Sequence, residues 1–138
     1  MELGIKSTRN AVYQTAYHAV WIPKYRRKVL VGEVVERLRG ILHEICQMKG
    51  FEVLALEIQP DHVHLFFSAP PAIAPALAIQ WFKGSSARTL LAEFKELKKT
   101  HREGHLWAPS YYVGTAGQVS AKTIRRYIER SEHVSSRK

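Results

Sequence analysis

A turn tripeptide, Gln59-Pro60-Asp61, sits between two apolar-rich runs and fixes a hairpin near the middle of the chain. Phe51 to Ile58 precedes the turn and His62 to Ser68 follows it. Pro and Asp in so short a gap are turn chemistry, and strands joined this closely pair antiparallel. The flanking segments then have to supply the remaining strands and the helices that cover the sheet.

Ala11 to Ile22 is predicted as a strand, because Tyr13, Thr15, Tyr17, Ala19 and Trp21 alternate with Val12, Gln14, Ala16, His18 and Val20. Pro23 stops it, and the basic run Lys24 to Lys28 follows as a loop. Gly32 to Lys49 is predicted as an amphipathic helix, with Val34, Val35, Leu38, Ile41, Leu42 and Ile45 on one stripe and Gly50 as its stop. Ala74 to Lys98 reads as a second helix, kinked or split at Gly84-Ser85-Ser86. Thr100 to Pro109 is a polar loop, Tyr111 to Val113 a fourth strand and Gly114 to Gly117 a turn. Ser120 can cap a last helix running to about His133, and Val134 to Lys138 is expected to fray.

The order β-α-β-β-α-β-α is the split βαβ, ferredoxin-like (RRM-like) α+β arrangement with an added C-terminal helix. Helices would pack on one face of an antiparallel sheet and leave the other face open. With 138 residues, the chain reads as a single domain over 1–138.

The 46% hydrophobic content excludes a disordered chain. The excess of 21 Lys and Arg over 12 Asp and Glu, a net charge of +9, favours an anionic partner, with nucleic acid foremost. No apolar run approaches the roughly 18 residues a membrane helix needs. The opening MELGIKSTRN lacks an apolar signal segment, so a cytoplasmic location is expected. Cys46 is the only cysteine, which excludes an internal disulfide and any multi-cysteine metal site.

His62 and His64 are two apart on a predicted strand, so they share a face, with Val63 turned into the core. Their Cα atoms are then about 6.5–7 Å apart, close enough for both imidazoles to reach one ion. Glu57 lies across the hairpin, where its carboxylate can approach the pair, and Asp61 can fix an imidazole tautomer by accepting its N–H. His18 on the first strand is a candidate further ligand or support. A His and carboxylate mixture with an open position suits Mg²⁺ or Mn²⁺ bound with water and a phosphate oxygen. Tyr127 lies on the last predicted helix among Lys122, Arg125, Arg126 and Arg130, where positive charge favours phenolate and attracts phosphate.

These residues form a recognisable set. PDHVHLFFS at Pro60 to Ser68 resembles the HUH motif, two histidines around a bulky apolar residue, and IRRYIE at Ile124 to Glu129 resembles the tyrosine helix of single-tyrosine HUH nucleases. AYHAVWIPKYRRKVL at Ala16 to Leu30, WFKGSSAR at Trp81 to Arg88 and LWAPSYYVGTAGQVS at Leu106 to Ser120 are similar to the small transposases of the insertion sequence 200/605 family. The five segments occur in the family's order and span nearly the whole chain.

The resemblance implies a homodimer that cleaves and rejoins single-stranded DNA at hairpin-marked element ends through a covalent 5′-phosphotyrosine. It implies Tyr127 as nucleophile, His62 and His64 as metal ligands, and a composite site in which the last helix can serve the partner subunit. Many relatives carry Gln four residues after the tyrosine as third ligand. Here that position is Ser131, too short to replace it well, so Glu57 becomes the expected oxygen ligand and Asp61 the next. Lys24, Arg26, Arg27, Lys28, Lys83, Arg88, Arg125, Arg126 and Arg130 are candidate phosphate contacts, and Tyr25, Trp81 and Tyr111 can stack on unpaired bases. Two other readings share the charge and fold: a non-catalytic RRM-like nucleic-acid-binding module, and a host-adapted REP-associated tyrosine nuclease.

Overall fold

The computed structural model describes residues 5–8, 11–13, 15–101 and 103–115. The predicted last helix, and with it Tyr127, Arg125, Arg126, Arg130 and Ser131, lies outside the described residues.

Among the described residues, ten elements follow in order. The strands are β1 (Lys6–Thr8), β2 (Ala11–Tyr13), β3 (Tyr17–Trp21), β4 (Glu52–Gln59), β5 (His62–Ser68) and β6 (Tyr112–Thr115). The helices are α1 (Glu33–Lys49), α2 (Pro75–Glu93) and α3 (Lys95–Thr100), with a 3-10 turn at Lys24–Arg26. Strands β4-β5-β3-β6 form one sheet in that order, every neighbour antiparallel, and β1 and β2 pair as a separate two-stranded sheet. Both β3 and β4 run antiparallel to β5, so they are parallel to each other with β5 between them. That is the predicted split βαβ.

The alternation along β3 and β5 sorts side chains onto two faces. Ala19, Trp21, Val63, Leu65 and Phe67 point to one face and are fully buried. They join Leu38, Leu42 and Cys46 of α1 and Ala78, Ile79, Phe82 and Leu90 of α2 in the main core. Each large apolar side chain buried there stabilises the fold by about 1.5–3 kcal/mol before entropy is counted. Burial also pushes the Cys46 thiol up to about 12, which fits a packing role. The other face carries His18, Val20, His62, His64 and Phe66.

Three expectations change. The predicted single strand over Ala11 to Ile22 is two strands, and β2 leaves the main sheet to pair with a polar strand, Lys6–Thr8, that shows no apolar alternation. The expected break at Gly84-Ser85-Ser86 is absent, and α2 runs unbroken to Glu93. There the buried Ser86 hydroxyl donates to the Phe82 carbonyl at 2.6 Å and accepts the Trp107 indole N–H at 2.9 Å, so tertiary bonding overrides weak propensity. The helix instead breaks at Phe94, whose backbone is extended (φ −115°, ψ 101°). Finally, Gly114 and Thr115 belong to β6 rather than to a turn, because they pair with His18 and Tyr17.

Candidate functional site

The hairpin register builds the site. Across β4 and β5, Glu57 lies opposite His64 and Gln59 opposite His62, so four side chains share one patch of the face opposite the helices. The His62 and His64 rings meet edge to face, with centroids 4.8 Å apart. Val63 between them is fully buried on the other face, as predicted.

Each histidine is held through Nδ1. The Nδ1 of His62 lies 2.7 Å from Asp61 Oδ1, and an ionised carboxylate can only accept, so the proton sits on Nδ1. The other carboxylate oxygen, Oδ2, accepts from Arg26 Nε at 2.8 Å. Burial pulls the Asp61 pKa up, but the hydrogen bonds from His62 and Arg26 outweigh it and leave the carboxyl below its ordinary range. The Nδ1 of His64 lies 3.1 Å from His18 Nε2. Burial, reinforced by His64, lowers the His18 pKa to about 4, and burial followed by the His62 charge lowers that of His64. Both rings are therefore neutral near pH 7. Nδ1 of both His62 and His64 is thereby engaged, and Nε2 is the remaining nitrogen of each ring.

Two predicted neighbours divide. Asp61 reaches a histidine nitrogen. Glu57 is exposed, and its Oε1 accepts a hydrogen bond from Gln59 Nε2 at 2.8 Å. Among the described residues, no group of three or more His, Cys, Asp or Glu side chains is disposed to hold a metal ion by itself. The donor set nevertheless suits a divalent cation: two imidazoles side by side, each engaged at Nδ1, and a carboxylate facing one of them across the hairpin.

The basic loop that follows β3 is strained. Tyr25 and Arg26 have φ of 61° and 52°, a left-handed conformation that costs a non-glycine residue about 1–3 kcal/mol. Several contacts hold it. Arg26 N–H donates to the Pro23 carbonyl at 2.8 Å, Arg27 Nη1 donates to the Thr100 carbonyl at 2.7 Å, and Arg27 sits 4.8 Å from the Tyr25 ring centre. The conformation carries Arg26 to Asp61, a link no sequence pattern announced.

The predicted phosphate contacts fall into two groups. Lys24 is buried and pairs with Glu103 at 2.8 Å. Lys83 donates to the carbonyls of Ala108 at 2.7 Å and Ser110 at 3.2 Å, and burial lowers its pKa to about 8. With Arg26 and Arg27, these cations bind the protein's own loops. Lys28 and Arg88 are exposed. Lys24, Tyr25 and Arg27 also line an open cleft of about 390 Å³ with Lys99, His101 and His105. Trp81 packs beside Phe51 on the helix side, with Lys49 over its ring at 4.2 Å, so it lies away from the histidine face. Tyr111 is exposed, with Lys83 5.8 Å from its ring centre.

Sequence reasoning missed Gln59, Phe66 and Tyr112. The signal for Gln59 was its two-residue spacing from Glu57 on the same strand face. Phe66 stacks on His18 with centroids 4.0 Å apart, and Tyr112 meets His18 edge-on at 6.0 Å.

A ferredoxin-like sheet with a His-x-His pair on the face opposite its helices has the layout expected of the HUH class. Residues 11–131 match the family described as "Transposase IS200 like", and the chain belongs to that family. It is 42% identical over 133 residues to the ISDra2 transposase TnpA of Deinococcus radiodurans, covering 96% of this chain and 94% of the relative. The crystal structure of a candidate transposase from the same species superposes with a TM-score of 0.83 at 41% identity, over 91% of this chain and 97% of that one. A REP-associated tyrosine transposase bound to a REP hairpin shares the fold, with a TM-score of 0.57 at 14% identity over 90% of this chain and 68% of the other. No helix among the described residues is long and apolar enough to cross a membrane.

Proposed function

We propose that this transposase cleaves and rejoins single-stranded DNA at hairpin-marked ends, with Tyr127 as nucleophile and His62, His64 and Glu57 as the metal-holding set. The observation that carries the reading is the presentation of two imidazoles side by side, each engaged in a hydrogen bond at Nδ1. The hairpin-bound relative of the same fold supports the hairpin substrate.

His62 and His64 would hold the cation, with Glu57 as the oxygen ligand from across the hairpin. A bound Mg²⁺ or Mn²⁺ supplies Lewis-acid stabilisation of the charge that grows on a phosphate oxygen. Asp61 keeps the His62 proton on Nδ1. The Tyr127 phenol gives up its proton as its oxygen attacks phosphorus, the bond from phosphorus to the DNA 3′ oxygen breaks, and that oxygen takes up a proton and leaves as a 3′-OH, so the step is proton-neutral. The 5′ phosphate stays esterified to the tyrosine, so the bond is conserved and needs no ATP. Attack by another 3′-OH reverses the sequence and seals a new junction. The cationic groups Lys28, Arg88, Arg125, Arg126 and Arg130 would position the DNA backbone. The chain would act as a homodimer in which Tyr127 of one copy serves the histidines of the other.

The test is a labelled single-stranded hairpin oligonucleotide incubated with protein and Mn²⁺, then run on a denaturing gel. The wild type should give a cleaved strand and a protein-linked strand, and Tyr127→Phe neither. A protein-linked product from Tyr127→Phe would remove Tyr127 from the reaction. Binding without cleavage by wild-type protein would favour the RRM-like binding module instead.

A further inference from the structure

His18 stands one residue pair along the sheet from His64. It lies opposite Phe66 on β5 and Gly114 on β6, while His64 lies opposite Val20. The residue is 5% exposed, and its ring is stacked on Phe66 at an interplanar angle of 11° and closed by the edge of Tyr112 at 71°. So tight a seat fixes the ring plane, and Nε2 then points at His64 Nδ1, 3.1 Å away.

Only one proton can lie in that bond. If His18 supplied it, His64 would accept at Nδ1 and carry its own proton on Nε2, where no ligand could then bind. If His64 supplies it, the Nε2 lone pair of His64 is free. His62 has the second arrangement imposed on it by the Asp61 carboxylate. Nδ1 of His64 is already engaged by His18, so a His64 that binds the ion does so through Nε2, and the second arrangement is required of it as well.

We propose that His18 is a positioning residue: its Nε2 accepts the Nδ1–H of His64 and so holds the His64 Nε2 lone pair toward the ligand site. This rests on the reading of His62 and His64 as a metal-holding pair. It also decides between the two roles the sequence left for His18. The nitrogen that could serve as a ligand is already bonded to His64. A neutral imidazole here does for one histidine what a carboxylate does for the other, without placing a second charge on a buried part of the sheet.

The experiment uses the full-length protein in two measurements. Long-range ¹H–¹⁵N NMR on metal-free protein reads each histidine's tautomer, and calorimetric titration with Mn²⁺ alone reads affinity. In wild type, His64 should carry its proton on Nδ1. His18→Phe keeps an aromatic ring against Phe66 but offers no acceptor. It should shift His64 toward the Nε2–H form and weaken Mn²⁺ binding about 10–100-fold. His18→Gln restores an acceptor oxygen at similar reach and should recover affinity to within a few-fold. A wild-type His64 protonated on Nε2 would overturn the proposal, and that spectrum decides even if a variant fails to fold. An unchanged tautomer and affinity in folded His18→Phe would overturn it too. Wild-type protein that binds no Mn²⁺ would instead contradict the metal reading on which it rests.

Discussion

The two faces of the four-stranded sheet are made by the same strands yet obey different rules. On the helix side, Val63, Leu65 and Phe67 are fully buried and interchangeable in kind with any apolar residues of similar volume. On the other side, His62, His64 and His18 are placed by hydrogen bonds of 2.7 and 3.1 Å, so each depends on a named partner. A single strand, β5, carries both sets at alternate positions. Stability and chemistry are thereby separated by one peptide unit, and substitution of neighbours should separate them experimentally.

His64→Ala should give the largest effect. Strand cleavage is expected to fall by at least about 10³-fold, the scale on which loss of one member of a cooperating catalytic set is felt, with thermal stability little changed. A gel time course beside a thermal melt checks both halves. Next comes Leu65→Ala, one residue away on the packed face. It should cost about 2–5 kcal/mol by chemical denaturation, while cleavage per folded molecule stays near wild type. Equal damage to stability and chemistry from both variants would dissolve the contrast between the faces.

Asp61→Asn sharpens the comparison within the histidine face. It removes the anion that sets the His62 tautomer and receives Arg26, so Mn²⁺ affinity should fall about 10–100-fold by calorimetry.

The smallest effect concerns Lys83 on the helix side, whose pKa burial lowers to about 8. Between pH 8 and the usual lysine value of roughly 10.4, the unfolded chain holds more protons than the folded one, so this group makes stability rise with pH across that window. Denaturation midpoints measured from pH 7.5 to 10.5 should show a shallower rise in Lys83→Met than in wild type.

Much of the packed face was legible from sequence, because alternation and helical periodicity follow directly from burial. Val63 turned inward, His62 and His64 turned together, and the four-stranded sheet has the predicted split βαβ arrangement. The split of the first strand was less visible. Residues Lys6–Thr8 are polar, and a short solvent-exposed strand leaves no apolar trace. Helix α2 was predicted to kink or split at Gly84-Ser85-Ser86, but the indole of Trp107, distant in sequence, bonds Ser86 and steadies that turn. The histidine face was legible in its residues and not in its wiring. Asp61 was expected beside a ring. The partnership of Arg26 with Asp61 depends on two left-handed residues in a loop, and the seat of His18 depends on three strands meeting in register.

The most direct test of the account is mass spectrometry of the protein–DNA adduct after protease digestion. Wild-type protein incubated with single-stranded hairpin DNA and Mn²⁺ should yield a peptide carrying a 5′-phosphonucleotide on Tyr127, and His64→Ala should yield none. A nucleotide attached to any other side chain, or an adduct that forms as readily without His64, would contradict it.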